Sequence, residues 1–270
     1  MNEIKHLILD MDGVLWHGET PLERLPEFFK TLDELGIRYL FATNNAGKTP
    51  DQYVQKFKRF SIAATERQVM TSALATAAYL SQEYTPAETT VYMVGDDGLH
   101  NALTAAGFTI LDRDDHHSTA DLVTVGLNRK VTYDDLALAT VHIRRGARFI
   151  GCNPDVTFPS ELGLLPGNGS LLALISAATD VQPTIIGKPG AIMFQECVRR
   201  LGEGATGHNT AMIGDRLNTD IAGGHNAGLQ TILVLSGVSK REEIAHSDVQ
   251  PDYVFTDIHE LAHALKNGHQ

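Results

Sequence analysis

The sequence predicts an α/β protein whose core is a doubly wound parallel sheet, with a second α/β domain inserted into that core. The first observation is that short apolar runs alternate with amphipathic stretches along most of the chain, a pattern typical of strands that alternate with helices. The second is a pair of polar links that contain proline, at 82–86 and 181–183. We interpret these links as the exit from the core and the return to it. We therefore predict a core of residues 1–82 and 183–270 and an inserted domain at 83–182.

The periodicity of apolar residues predicts the elements in order. Leu25, Phe28 and Leu32 recur at helical spacing, and Gly36 follows where a C-cap glycine is expected. In the first core segment we predict strands at 7–9 and 37–42 and helices at 26–35, 50–60 and 72–80. In the inserted domain we predict strands at 91–94, 122–125 and 149–150 and helices at 99–106, 133–144 and 170–178. In the second core segment we predict strands at 185–186, 211–213, 232–235 and 253–255, helices at 191–201 and 219–227, and a short C-terminal helix.

Composition and charge restrict the function class. Apolar residues make up 43% of the chain and charged residues 20%, as in ordinary soluble globular proteins. The formal net charge of −11 argues against a nucleic-acid polymer as partner, since proteins that bind one normally carry a basic stripe. The first apolar run is too short for a signal peptide or a membrane span, and the two cysteines lack metal-site spacing. We predict a reduced, cytoplasmic protein with no membrane partner.

Four apolar runs each end in a residue that can bind phosphate or a metal ion. The residues at these ends are Asp10, Thr43, Lys188 and Asp215. In an open parallel sheet, ligands bind at the carboxyl ends of the strands, near the point where the strand order reverses. If the four runs belong to one sheet, these side chains meet in one crevice although they are far apart in the sequence.

Asp10 and Asp12 lie two positions apart directly after the first predicted strand, and Gly13 follows them. A carboxylate can attack phosphorus and form an aspartyl-phosphate, which divides hydrolysis into two easier steps. A second carboxyl beside it can protonate the leaving oxygen and later accept a proton from the attacking water. The alternative is an ordinary aspartate-rich turn at the end of a strand.

Asp215 and Asp220 form a second acidic element after another predicted strand. Mg2+ prefers a few carboxylate or carbonyl oxygens together with waters and the phosphate itself. Asp215 could therefore share a Mg2+ ion with Asp10, and Asp220 could bind it directly or through water. The alternative for Asp220 is a structural role, because acidic residues are favourable at helix N-termini.

Residues that could hold a phosphate come from two further loops. The hydroxyl of Thr43, with the backbone N–H groups of Asn44 and Asn45, predicts a small phosphate cradle. Lys188, just before a predicted helix, can neutralise a phosphoryl oxygen and keep Asp10 ionised. Taken singly, each has an ordinary alternative: a polar loop or helix N-cap for the first, and a solvated surface lysine for the second.

Together these elements resemble a known family. Asp10-Met11-Asp12-Gly13, Thr43-Asn44, Lys188-Pro189 and Gly214-Asp215 with Asp220 are similar to the four motifs of the haloacid-dehalogenase superfamily, in their usual order. The long interval between the second and third motifs resembles the subclass with a large α/β cap of type IIA, the branch of nucleotide, p-nitrophenyl and pyridoxal phosphatases. The resemblance implies that residues 83–182 form the cap that selects the substrate.

The resemblance also implies roles for individual residues. It implies Asp10 as nucleophile and metal ligand, and Asp12 as an acid/base whose main-chain carbonyl also binds the metal. It implies Asp215 as the third protein ligand and Asp220 as support for the Mg2+ site. The phosphate would be held by Thr43, the Asn44 backbone and Lys188, and the cap residues Asn153 and Asp155 would face the active site.

The sequence thus predicts a Mg2+-dependent phosphatase that hydrolyses a small phosphorylated metabolite through an aspartyl-phosphate. The identity of that metabolite and a homodimer formed through the cap both stay open. One alternative is a phosphotransferase or mutase, which would pass the phosphoryl group to another hydroxyl at the same site. The other is a phospho-accepting regulatory protein, because receiver domains also combine acidic residues, Thr and Lys at strand ends.

Overall fold

The computed structural model describes residues 1, 3–113, 115 and 117–268. The strands are β1 (His6–Leu9), β2 (Trp16–His17), β3 (Thr20–Pro21), β4 (Arg38–Thr43), β5 (Val69–Thr71), β6 (Thr90–Val94), β7 (Thr109–Ile110), β8 (Leu122–Val125), β9 (Arg148–Gly151), β10 (Thr157–Ser160), β11 (Gly163–Pro166), β12 (Thr184–Ile185), β13 (Thr210–Gly214), β14 (Gln230–Val234) and β15 (Tyr253–Phe255). The helices are α1 (Leu25–Glu34), α2 (Pro50–Arg59), α3 (Ser72–Glu83), α4 (Asp97–Ala105), α5 (Tyr133–Arg144), α6 (Asn168–Thr179), α7 (Ala191–Leu201), α8 (Ala222–Asn226), α9 (Arg241–Ile244) and α10 (Ile258–Gly268). Residue contacts divide the chain into two compact units.

The first unit contains Met1–Thr43, Pro50–Met70 and Lys188–Gln270. Its described strands form a sheet in the order β15-β14-β13-β1-β4-β5, and β1 pairs in parallel with both β4 and β13. Apolar residues of α1 and α10 cluster with Leu7 and Leu9, while α7 packs against β1 and β4. Every residue of β1 is therefore buried, which explains its continuous apolar run.

The strand order of this sheet reverses beside β1. From β1 the chain continues to β4 and β5 on one side, and later to β13, β14 and β15 on the other. Leu9 lies opposite Phe41 on β4 and Ile213 on β13, so these three strands end at the same edge. Open parallel sheets bind ligands at such an edge. Asp10, Thr43 and Asp215 lie at this edge, at the carboxyl ends of β1, β4 and β13.

A short hairpin that the sequence did not predict follows β1. Strands β2 and β3 pair antiparallel, with Trp16 opposite Pro21. At the turn, the carbonyl of Gly18 accepts a hydrogen bond of 2.6 Å from Nζ of Lys56 on α2. Strands of two residues are too short to show an alternating pattern, so periodicity could not reveal them.

The second unit contains Asn44–Thr49 and Thr71–Gly187. Its larger sheet, over the described residues, has the order β12-β9-β8-β6-β7 with parallel pairs. Tyr92, Val123, Phe149 and Ile175 meet in its apolar core. Strands β10 and β11 form a separate antiparallel hairpin, on which Leu164 is exposed.

The predicted fold class, an α/β protein with parallel sheets and an additional α/β unit, is confirmed. One strand assignment is wrong: the run 185–186 was expected to belong to the core sheet. Instead β12 pairs in parallel with β9, with Thr184 opposite Ile150, so it lies in the sheet of the second unit. A two-residue apolar run carries no information about which of two parallel sheets it joins, because its partner is distant in sequence.

The chain passes from one unit to the other after residues 43, 49, 70 and 187. The predicted domain boundaries instead follow residues 82 and 182. The two divisions differ at residues 44–49, at 183–187 and at α3, all of which belong to the second unit. The hydroxyl of Thr76 on α3 donates to the sulfur of Cys152, and the hydroxyl of Tyr79 accepts a hydrogen bond of 2.8 Å from Arg148. The proline-containing link at 82–86, which suggested the first boundary, lies at the C-terminal end of α3. The predicted boundary therefore placed α3 in the core. No helix within the described ranges is both long and apolar enough to cross a membrane.

Candidate active site

Asp10 follows β1 at the edge where the strand order reverses. Its backbone N–H donates to the carbonyl of Ile213 at 2.9 Å, which extends the pairing with β13 by one residue beyond β1. Its carboxylate Oδ1 accepts a hydrogen bond from Nζ of Lys188 at 2.5 Å. The sheet therefore fixes the backbone of Asp10, and Lys188 orients its side chain.

Lys188 is buried, with 3% of its surface exposed. Besides Asp10, its Nζ donates to Oδ1 of Asp220 at 2.7 Å and to the carbonyl of Ala42 at 3.4 Å. Burial alone would lower the pKa of Lys188, but the carboxylates of Asp10 and Asp220 outweigh burial and raise this pKa. Lys188 therefore lies as a cation between two carboxylates, although it does not follow a strand of the first unit's sheet as the sequence predicted.

Asp10, Asp215 and Asp220 form a cluster in which one carboxylate oxygen of each lies within 4.8 Å of the others. Burial raises the pKa of Asp10, the Lys188 ammonium opposes this rise, and Asp220 adds to it. Burial also raises the pKa of Asp215, and the charge of Asp220 raises it further. Three ionised carboxylates facing one ammonium would leave an excess of negative charge in this site, which is unfavourable unless a cation offsets it or a carboxylate binds a proton.

The surroundings of Asp215 fit a metal ion. Its Oδ2 accepts a hydrogen bond of 2.7 Å from the backbone N–H of Val238, while its buried Oδ1 has no hydrogen-bond partner among the described residues. A buried carboxylate oxygen without a donor costs free energy, and a bound cation would satisfy it. A Cβ atom at Gly13 or at Gly237 would collide with this carboxylate, so two backbone segments close directly around it. The cluster can thus hold a divalent metal ion.

Asp220 is held from two sides. It lies in a π-helical turn, Leu217–Ile221, which precedes α8 where the sequence predicted one continuous helix at 219–227. Its Oδ2 accepts a hydrogen bond of 3.1 Å from the backbone N–H of Arg216, and its Oδ1 accepts from Lys188. Asp220 therefore combines the structural role of an acid at the start of a helical turn with a place in the carboxylate cluster.

Asp12 has surroundings that differ from those of Asp10. Its side chain is exposed, and its Oδ1 accepts a hydrogen bond of 3.0 Å from the indole N–H of Trp16. Its carboxylate lies outside the three-residue cluster found among the described residues. Its predicted part in metal binding was through the main-chain carbonyl and stays a prediction.

Thr43 ends β4 and is buried. Its hydroxyl forms a hydrogen bond with the phenol of Tyr53 on α2, and burial raises the pKa of that phenol. The phenol therefore stays protonated at neutral pH. The predicted contact between the Thr43 hydroxyl and a phosphate stays a prediction.

The structure brings Asn44 together with Asn153 and Asp155, within the second unit. The amide nitrogen of Asn44 lies 3.2 Å from each carboxylate oxygen of Asp155. The carbonyl of Asn44 accepts hydrogen bonds from Nδ2 of Asn153 at 2.7 Å and from the hydroxyl of Ser72 at 2.6 Å. The side chain of Asn45, which is exposed, accepts from the backbone N–H of Gly47 at 2.8 Å. Asn153 and Asp155 thus hold the loop that follows Thr43, and their contact with a substrate stays a prediction.

Sequence reasoning missed several residues that support these side chains. Trp16 bonds to Asp12, the backbone of Val238 bonds to Asp215, and the hydroxyl of Ser236 donates to the carbonyl of Gly13 at 2.7 Å. The spacing of four residues between Asp12 and Trp16 carries no signal outside a helix. The loop 236–238 is far from Asp10 in sequence, and nothing in its composition marks it as part of this site.

Comparison with known proteins agrees with this geometry. Residues 7–109 match the family of haloacid dehalogenase-like hydrolases, and residues 185–261 match the HAD-hydrolase-like family. The acid sugar phosphatase of Staphylococcus aureus is 42% identical over 98% of this chain and 100% of its own length. The chain belongs to the haloacid-dehalogenase superfamily.

Two further relatives indicate which branch of the haloacid-dehalogenase superfamily this chain resembles. The 5'-nucleotidase YutF of Bacillus subtilis is 40% identical, over 96% of this chain and 98% of its own length. The crystal structure of a 4-nitrophenylphosphatase from Thermotoga maritima is 32% identical and superimposes with a TM-score of 0.89, covering 98% of both chains. These relatives are consistent with subclass IIA, and this haloacid-dehalogenase-type enzyme is a phosphoric monoester hydrolase.

Proposed function

We propose that this enzyme is a Mg2+-dependent phosphatase of small phosphorylated metabolites and that it acts through an aspartyl-phosphate formed on Asp10. The observation that supports the proposal most strongly is the arrangement of Lys188 and three carboxylates. The ammonium of Lys188 contacts Asp10 and Asp220, and the oxygens of Asp10, Asp215 and Asp220 lie within 4.8 Å of one another. One ammonium and one divalent cation together would balance the three carboxylates.

The proposed reaction has two steps. In the first, a carboxylate oxygen of Asp10 attacks phosphorus, the bond between phosphorus and the ester oxygen breaks, and Asp12 donates a proton to the departing oxygen. In the second, water attacks the aspartyl-phosphate, Asp12 accepts its proton, and inorganic phosphate leaves as the Asp10 carboxylate is restored. Mg2+, held by Asp10, Asp215, Asp220 and the main-chain carbonyl of Asp12, would offset the negative charge of the phosphoryl oxygens. Thr43, the Asn44 backbone, Asn45 and Lys188 would hold the phosphate.

The substrate class is proposed from the relatives. Their names, acid sugar phosphatase, 5'-nucleotidase and p-nitrophenyl phosphatase, refer to phosphates of sugars, to 5'-nucleotides and to p-nitrophenyl phosphate. All are monoesters of small alcohols or phenols, so we propose a small phosphomonoester and no polymer as substrate. Asn153 and Asp155, in the unit that we propose as the cap, would contribute to its recognition.

The first test is Asp10→Asn. We expect this substitution to abolish phosphate release from p-nitrophenyl phosphate in the presence of Mg2+, because an amide oxygen is a poor nucleophile and a weaker metal ligand. Asp51→Asn on α2, which changes an exposed carboxylate, is the control and should keep full activity. EDTA should remove activity, and added Mg2+ should restore it. Activity that survives in Asp10→Asn would contradict the proposal.

A second measurement addresses the intermediate and the acceptor. Rapid quenching of the wild type during turnover should reveal, by peptide mass spectrometry, one phosphoryl group on the peptide that contains Asp10. With excess alcohol present, free phosphate should account for all turnover. A phosphorylated alcohol as the main product would instead identify a phosphotransferase.

We also propose a cytoplasmic location. The two cysteines, Cys152 and Cys197, are both buried and free, which agrees with a reducing compartment. A homodimer formed through the second unit stays a prediction, and the state of the purified enzyme in analytical ultracentrifugation would test it.

A further inference from the structure

The indole of Trp16 contacts the carboxylate of the proposed acid/base, Asp12. Its Nε1 donates to Oδ1 of Asp12 at 3.0 Å, and the backbones of Asp12 and Trp16 form an isolated bridge. Trp16 is fully buried whereas Asp12 is exposed. A rigid, buried donor thus meets a carboxylate that would otherwise be free to change its rotamer in solvent.

The indole itself is held by α2. The ammonium of Lys56 lies 4.3 Å from the centroid of the Trp16 ring, a distance at which a cation is attracted to an aromatic face. Phe57 contacts the same ring edge to face, with centroids 5.1 Å apart. Lys56 also donates to the carbonyl of Gly18 at the turn of the β2–β3 hairpin. The position of the indole N–H is therefore fixed in part by α2, through Lys56 and Phe57.

We propose that Trp16 is a positioning residue that aims the carboxyl of Asp12 at the leaving group of the substrate. The proposal rests on the proposed function, in which Asp12 transfers the proton. An indole nitrogen is only a donor, so Oδ1 of Asp12 must accept from it. That leaves Oδ2 as the oxygen that gives the proton to the departing ester oxygen. Lys56 supports this arrangement by its contacts with the ring and with the hairpin.

A comparison of two leaving groups separates this role from a merely structural one. An alkoxide needs a proton as it departs, whereas p-nitrophenolate is stable enough to leave without one. Loss of a well-aimed general acid should therefore reduce kcat/KM for an alkyl phosphate more than for p-nitrophenyl phosphate. A general loss of folded or competent enzyme would reduce both by the same factor.

The test variant is Trp16→Phe, which keeps an aromatic ring and removes the N–H donor. We expect kcat/KM for a simple alkyl phosphate such as glycerol phosphate to fall about tenfold more than kcat/KM for p-nitrophenyl phosphate, a part of the usual contribution of a general acid. Phe28→Leu is the control, because Phe28 lies in the same apolar core as Trp16 but forms its ring contact with Phe29. It should lower both values by the same factor.

Equal losses for both substrates in Trp16→Phe, or the same unequal loss in Phe28→Leu, would overturn the inference. Asp12→Asn distinguishes this failure from failure of the proposed function. If Asp12→Asn affects both substrates equally, the proposed role of Asp12 is wrong. If it shows the unequal loss and Trp16→Phe does not, only the positioning role fails. If circular dichroism shows that Trp16→Phe does not fold, Lys56→Met takes its place, because it removes the cation that contacts the indole ring. If the ratio of kcat/KM for the alkyl phosphate to kcat/KM for p-nitrophenyl phosphate is then the same as in the wild type, the inference is overturned.

Discussion

Nζ of Lys188 lies 2.5 Å from Oδ1 of Asp10. The same nitrogen bonds to Asp220, so one buried ammonium serves two carboxylates. Breaking a buried ion pair by removal of one partner is strongly destabilising, since the remaining charges keep their desolvation cost. Lys188 should therefore matter for stability as well as for activity.

Lys188→Met tests this relationship. We expect the free energy of unfolding to fall by about 3–5 kcal/mol, because the three carboxylates lose their internal cation. Mg2+ should restore a part of this loss. Urea unfolding with and without Mg2+ measures both effects, with Lys58→Met, an exposed lysine of α2, as the control. A variant as stable as the wild type in EDTA would show that the ammonium does not compensate the cluster.

Asp215→Asn should weaken the binding of Mg2+. In the wild type, free Mg2+ at about a hundred times its Kd should stabilise the folded state by about 2.7 kcal/mol. Replacement of one buried ligand should shift the Mg2+ concentration needed for that stabilisation upward by at least about tenfold. Thermal unfolding over a Mg2+ titration measures the shift. Asp248→Asn, at an exposed site, should behave as the wild type, and equal curves for both variants would exclude Asp215 from the metal site.

Gly13→Ala should damage the site by contact and not by backbone strain alone. Gly13 has φ +86°, and an added Cβ would collide with the carboxylate of Asp215. Gly36 also has a positive φ, of +66°, but a Cβ there meets nothing within 4 Å. Both alanines should cost about 1 kcal/mol for the unfavourable φ. Only Gly13→Ala should also raise the Mg2+ concentration for half-maximal activity, so an unchanged Mg2+ requirement would argue against the close approach.

His142 should make the stability of the protein depend on pH. It is buried beside Tyr92, and its Nδ1 accepts a hydrogen bond from the backbone N–H of Ala120. Burial lowers the pKa of His142 below its ordinary value of 6.5, and the charge of Arg145 lowers it further. Below about pH 6.5 the unfolded chain therefore binds a proton that the folded protein does not, and the free energy of unfolding falls as the pH falls.

His142→Phe keeps a ring against Tyr92 and removes the titrating group. Between about pH 7.5 and about pH 5, the wild type should lose more stability than this variant, because only the wild type must desolvate a charged imidazole. Urea unfolding at each pH measures the difference between the two proteins, and in this difference the contributions of the remaining histidines cancel. Parallel pH profiles would mean that His142 titrates normally.

The carboxyl ends of strands were the part of the site that could be predicted from sequence. Asp10, Thr43 and Asp215 each follow an apolar run, and parallel strands bring such ends to one edge whatever their separation in the chain. Lys188 shows the limit of that reasoning. Its Nζ lies 2.5 Å from Oδ1 of Asp10, but its apolar run belongs to β12 in the other sheet.

Contacts that depend on tertiary packing could not be predicted. The burial of Trp16 against Phe57 and its bond to Asp12 arise because α2, which is distant in sequence, packs on the hairpin. The unit to which α3 belongs could likewise not be predicted, since its small apolar residues would suit a helix packed in the core of either unit. Periodicity identifies an element and its buried face, but it does not name the partner of that face.

The short segment Asn44–Thr49, which the contacts assign to the second unit, has a consequence for any attempt to move that unit to another protein. It supplies the carbonyl of Asn44 to Ser72 and Asn153, and the carbonyl of Gly47 to the backbone N–H of Gly98. A fragment cut out as residues 71–187 would leave these three donors without their acceptors. A working graft must therefore carry two pieces of chain, and exchange of this unit between relatives as one contiguous stretch should fail unless residues 44–49 are exchanged with it.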